Sequence, residues 1–137
     1  MARNKKKQLS MKYGYSKKVN LSFSETVTRV KEALQEAGFG VLTEIDVKAT
    51  MKKKLNVDYD NYLILGACNP PFAHQALQVE KEIGLLLPCN VIVYEDNNEI
   101  HISAILPTIA MNMVESEALA EIAKEVEAKL VSAIDAV

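Results

Sequence analysis

Apolar residues recur along this chain with two different periods. Phe23, Val27, Val30, Leu34 and Ala37 return every three or four residues, the spacing of one helical face. Ser22 opens this run in Ser-Phe-Ser-Glu, a capping box with Glu25 at its third position, and Gly38 follows as a left-handed terminator. A helix over 22–38 is predicted. Leu119, Ile122, Val126, Leu130 and Ile134 repeat the pattern over 115–135, while Glu117, Glu121, Glu125 and Glu127 fall on the side that would face water.

The stretches between read as strands. Met11 to Val19 carries Tyr13 and Tyr15 on one face. Phe39 to Val47 alternates, with Phe39, Val41, Thr43, Ile45 and Val47 on one side. Ala49 to Leu55 is a short helical piece whose Lys52, Lys53 and Lys54 need no partner beyond water. Asn61 to Cys68 is apolar on both faces and belongs in the middle of a sheet. Asn69 can cap a helix that starts at Pro70, a favoured first position for proline. Its stripe is Phe72, Ala76, Val79 and Ile83, and Gly84 ends it. A strand through Tyr94, turn residues Asp96, Asn97 and Asn98, and a return over Glu99 to Leu106 form an antiparallel hairpin.

The fold class that follows is α+β: a mainly antiparallel sheet with the two main helices packed on one face and the short helix 70–83 at the sheet edge. With 137 residues, 49% hydrophobic and 25% charged, the chain is long enough for one core of ordinary composition. No apolar run reaches the roughly 18–20 residues that span a bilayer, and no apolar stretch follows the basic N-terminus, so neither a membrane span nor a signal peptide is expected. Two cysteines without an export signal place the protein in the reducing cytoplasm.

Charge changes the picture at one end only. Residues 1–20 hold Arg3, Lys5, Lys6, Lys7, Lys12, Lys17 and Lys18 and no acid, a balance of +7. The formal net charge of −2 then leaves −9 on the remainder. Residues 1–11 read as a flexible basic arm and 12–137 as a single compact domain. A contact with nucleic acid through residues 3–18 is a third-ranked reading, because nothing in the acidic body continues the basic surface.

Candidate chemistry gathers between Asn61 and Tyr94. Both cysteines sit there in near mirror settings: Cys68 in Ala-Cys-Asn-Pro leaves one strand, and Cys89 in Pro-Cys-Asn enters the next. Antiparallel neighbours would bring the two to one rim of the sheet, within reach of a disulfide; a parallel crossover would put them at opposite ends. Cys68 precedes a helix start, which favours a thiolate, but Pro70 and Pro71 lack the N–H groups that would stabilise one. Free cysteine also serves as a small buried hydrophobe. Zinc or copper on Cys68 and Cys89 with His74, or with His101 if the hairpin brings it round, is the metal alternative, although Cys-x5-His is not a standard ligand spacing. His101, between Ile100 and Ile102, is expected to point to solvent. No phosphate loop, metalloprotease signature or nucleophile elbow is present, so no catalytic residue is assigned and no motif asks for a cofactor.

Three strings in this order resemble one family. They are Gly38-Phe39-Gly40-Val41-Leu42-Thr43-Glu44-Ile45-Asp46-Val47, then Leu63-Ile64-Leu65-Gly66-Ala67-Cys68-Asn69-Pro70, then Leu87-Pro88-Cys89-Asn90-Val91. The chain is similar over residues 12–137 to the family called domain of unknown function 302. The resemblance implies a compact domain with an antiparallel sheet and two main helices on one face, similar to the TATA-binding-protein-like fold and often dimeric. It implies no activity, and a fold of that shape does not imply DNA binding. The expectation is a small cytoplasmic homodimeric binding or sensing module. An unidentified small-molecule ligand would lie near Cys68, Asn69, Pro70, Cys89 and Asn90. The alternative is a thiol-dependent redox or metal-handling protein using Cys68 and Cys89.

Overall fold

Among the described residues five strands form one antiparallel sheet in the order β1-β5-β4-β3-β2. The structure is a computed structural model that describes residues 13–137; the basic arm over 1–11 lies outside the described residues. The strands are β1 (Gly14–Val19), β2 (Gly40–Asp46), β3 (Tyr62–Cys68), β4 (Cys89–Asp96) and β5 (Glu99–Ile105). The helices are α1 (Phe23–Glu36), α2 (Val47–Leu55), α3 (Pro70–Val79), the single turn α4 (Pro107–Ala110) and α5 (Glu117–Asp135), with 3-10 turns at Lys81–Leu86 and Met111–Val114.

Local chemistry sets the helix ends. Ser22 accepts from the Glu25 N–H at 3.1 Å, as the capping box predicts, and Gly38 has φ +92°. Ser116 caps α5 by accepting from the Leu119 N–H at 3.3 Å, so that helix begins just past Glu115. Asn97 and Asn98 both take positive φ between the paired Asp96 and Glu99, which is the two-residue hairpin expected there. The helix predicted over 70–83 is shorter. Glu80 is extended and its side chain accepts from the Glu82 N–H, so α3 stops at Val79 and a separate 3-10 turn follows.

Both main helices cover one face of the sheet. Val30 and Leu34 of α1 meet Val126, Leu130 and Ile134 of α5 over Leu65, Val91, Val93 and Ile102, all in one buried cluster. Thr26 is also fully buried, and its hydroxyl donates to the Ser22 carbonyl at 2.7 Å. A second cluster joins Ala76, Ile83, Met111, Leu119 and Ala123, so α3 rests on the first half of α5 beyond the sheet's end. The far end of α5 is tied to β1: the Tyr15 hydroxyl donates to Asp135 at 2.6 Å, and Lys17 donates to the carbonyls of Asp135 and Val137 at 3.2 and 3.1 Å. Glu127, expected to face water, accepts instead from the Thr108 N–H and hydroxyl, at 3.1 and 2.6 Å, and holds α4 to α5.

One strand departs from its sequence pattern. A bulge lies between Val41 and Thr43, since Val41 pairs with Ala67 but Thr43 pairs with the adjacent Gly66. The extra residue, Leu42, reverses the alternation. Phe39 and Val41 pack with the helix-side core, whereas Thr43 and Ile45 share the uncovered face with Gly66 and Ile64, and Ile45 is half exposed. That face carries an aromatic row in which Tyr62 stacks on Tyr94 at 5.4 Å and Tyr94 on His101 at 4.8 Å. His101 is therefore half-buried in a stack, not solvated.

The bulge fits only because residue 66 lacks a side chain. A Cβ on Gly66 would overlap the Thr43 hydroxyl and approach Pro88 Cγ to 2.8 Å. Gly66→Ala is expected to destabilise the protein by about 1–3 kcal/mol in urea unfolding, and Thr43→Ala in the same chain to restore part of the loss. Unchanged stability of the single variant would show that the register at the bulge is soft.

Candidate functional site

The site is built where β3 ends and β4 begins. Because these strands are antiparallel neighbours, with Ala67 opposite Cys89, residues 68 and 89 lie at the same rim of the sheet. Small side chains meet here: Ala67 on β3, Ala73 and Ala76 on α3, Ala123 on α5. They leave a half-open cavity of about 280 Å³ between the two buried clusters, lined also by larger groups such as Phe39, Phe72, Met111 and Val126. Leu42, the bulge residue, lies on its wall and is 67% exposed.

Three of the five residues expected to gather around a ligand line this cavity: Cys68, Asn69 and Cys89. The other two do not. Pro70 is exposed on the first turn of α3. Asn90 follows Cys89 on an extended strand, so it points to the opposite side of the sheet, where it pairs with Gly66 and is exposed. His74 is exposed on α3 and does not line the cavity. Among the described residues no group of three or more histidines, cysteines and carboxylates could hold a metal ion. The proposed Cys68, Cys89, His74 set is thus not assembled.

Both thiols are free, Cys68 half-buried and Cys89 buried. Burial raises the pKa of Cys68, and burial with the nearby Cys68 charge pushes Cys89 up to about 11. Near neutral pH both are uncharged, weakly polar walls. This disfavours the thiolate chemistry that redox exchange or metal binding would need. The prolines fit this result: the first turn of α3 offers no N–H at residues 70 and 71 to steady an anion.

Asn69 is the polar member of the site. It occupies the N-cap position of α3 but makes no side-chain capping bond, and it is only 9% exposed. No charged side chain of the described residues lines the cavity.

Residues 15–137 match the family "Domain of unknown function DUF302", and the chain belongs to it. Among solved structures, the chain is similar to a crystal structure of an uncharacterized conserved DUF302 protein from Bacillus stearothermophilus. The two are 32% identical, with a TM-score of 0.86 over 91% of this chain and 98% of that one. No curated protein matches the chain. Among the described residues no helix is long and apolar enough to cross a membrane.

The parts of the cavity that the sequence reading missed come from α5 and from the segment before it. Ile122 and Val126 were legible as a buried stripe, but their meeting, together with Met111, with residues 68 and 89 is a long-range fact. The available signal was the run of alanines on the inner faces of two predicted helices.

Burial of the thiols gives a directional test. An unfolded cysteine ionises near pH 8.5, so Cys89 keeps its proton in the native state over a range where the unfolded chain loses it. Its contribution to stability is full below the unfolded pKa and is lost as pH rises through about 11. Urea unfolding from pH 7 to 10.5 should show a steeper alkaline decline for the native sequence than for Cys89→Ala. With a disulfide reagent at pH 8, Cys89 should react at least about ten-fold more slowly than the same thiol in urea. Equal rates would contradict the burial.

Proposed function

We propose that this protein is a small binding or sensing module whose ligand occupies the apolar cavity bordered by Cys68, Asn69 and Cys89. One observation carries the reading: a cavity of about 280 Å³ stands where the ends of β3 and β4, α3 and α5 converge, near the size at which small-molecule pockets begin. In this reading residues 12–137 act as one unit and no side chain performs catalysis. The two unpaired cysteines are consistent with a reducing, cytoplasmic setting.

A neutral fluorescent probe of fitting size, 1-naphthylamine, tests the cavity. Saturable binding at one site per chain is expected. Ala73→Leu, which adds bulk from the wall of α3, is expected to weaken it at least about ten-fold at unchanged fold by circular dichroism. A protein that takes up no probe, or a variant that binds as before, refutes the reading.

The module works as a homodimer in this proposal, through the uncovered sheet face and the neighbouring segment that runs from the end of α2 toward β3. Ile45, Leu55, Val57 and Tyr59 expose apolar surface there, and Tyr59 continues the aromatic row at 6.4 Å from Tyr62. A stable pair would bury about 800 Å² on each partner. Light scattering at micromolar concentration should give a dimeric mass, and Ile45→Glu should shift it toward the monomer. A monomeric native protein would remove the dimer from the proposal.

A further inference from the structure

Among the described residues two polar side chains other than cysteine are buried, and they are treated differently. Thr26 is satisfied by the Ser22 carbonyl. Asn69 has no side-chain hydrogen bond with any described residue, although nine-tenths of its surface is covered. No sealed side-chain nitrogen or oxygen of the described residues lacks a partner, so the Asn69 amide still reaches solvent and stays open to a ligand; covering it without a hydrogen bond would cost about 1–3 kcal/mol. One of the two usual partners is missing for a local reason. An asparagine before a helix normally accepts from the second or third helical N–H. Here the second helical residue is Pro71, which has none, the side chain does not bond the third N–H, on Phe72, either, and its amide nitrogen lies near Gly38 beside the cavity. A Cβ on Gly38 would come within 3.1 Å of that nitrogen, so the glycine leaves room for the amide as well as allowing its own φ of +92°.

The surroundings restrict what can meet this amide. The remaining wall is aliphatic, aromatic or thiol, and no charged group of the described residues faces it. A charged ligand would be desolvated with no counter-charge, while a pure hydrocarbon would leave the amide unpaired. We propose that the cavity takes a neutral, largely hydrocarbon molecule with a single hydroxyl or carbonyl group, and that Asn69 recognises that group by hydrogen bonding. At about 30 Å³ for a water-sized group, the volume corresponds to roughly nine such groups, the scale of a medium-chain alcohol or a bicyclic phenol. This inference rests on the reading of the cavity as a binding site and adds the ligand's chemistry to it.

Naphthalene, 2-naphthol and 2-naphthoate share one hydrocarbon frame and differ in the polar group. Their affinities are measured by displacement of 1-naphthylamine from the native protein and from Asn69→Leu, a substitution of similar volume. In the native protein 2-naphthol should bind more tightly than naphthalene, and 2-naphthoate at least ten-fold more weakly than 2-naphthol. In Asn69→Leu the ratio of the 2-naphthol to the naphthalene dissociation constant should rise at least ten-fold, with naphthalene binding retained as the control for an intact cavity. If naphthalene binds but the ratio does not move, the cavity reading stands and the role of Asn69 is overturned. Tighter binding of 2-naphthoate than of 2-naphthol overturns the requirement for a neutral ligand. Should Asn69→Leu lose naphthalene as well, Asn69→Ser decides: a ratio still at the native value rules the inference out, and an increase upholds it. Absence of displacement by all three compounds from the native protein removes the cavity reading along with the inference.

Discussion

The register of β3 against β4 is the constraint on which the rest of this structure depends. Leu65 opposite Val91 fills the middle of the sheet with fully buried side chains, and two residues along the same face Ala67 stands opposite Cys89. Large pairs anchor the two main helices; the small pair at the rim anchors nothing and leaves space. A slip by one residue would turn Asn90 inward and Cys89 outward, exchanging an apolar wall for an amide and exposing the core face. The cavity is therefore not a packing defect placed at random. It lies where small strand residues meet alanines of α3 and α5.

Much of this could be read along the chain because it is local chemistry. The capping box at Ser22, the left-handed Gly38, the paired asparagines of the hairpin and the proline start of α3 each act over a few residues. The doubly apolar run of β3 correctly marks a strand with neighbours on both sides. What was not legible depends on pairs far apart in number. The β2 bulge follows from Gly66 admitting Thr43, and nothing within residues 39–47 announces it. His101 was expected in water because its strand neighbours are apolar. It lies instead against Tyr94 of the adjacent strand. The same limit applies to the site: strand parity alone places Asn90 away from Cys89, while the approach of Met111 and Val126 had to come from the fold.

The thiols show how the environment settles a chemistry that residue type leaves open. A cysteine before a helix start is a candidate nucleophile when amide donors and positive charge surround it. Around Cys68 and Cys89 the donors are removed by Pro70 and Pro71 and the neighbours are alanine, phenylalanine and methionine. Burial therefore dominates, and both pKa values rise. In that state a thiol behaves as a polarisable methyl-sized group, well suited to lining an apolar pocket.

The bulge also links the two surfaces on which the function is proposed to rest. Before it, Phe39 and Val41 belong to the core beside the cavity; after it, Thr43 and Ile45 belong to the uncovered face. Leu42 sits at the change of side, on the cavity wall. A packed sheet transmits displacement because its interior has few voids to absorb it. In the proposed dimer Ile45 would meet the second copy, three residues along the strand from Leu42. On that proposal, association and ligand entry would share one strand, through residues of β2 that differ in face.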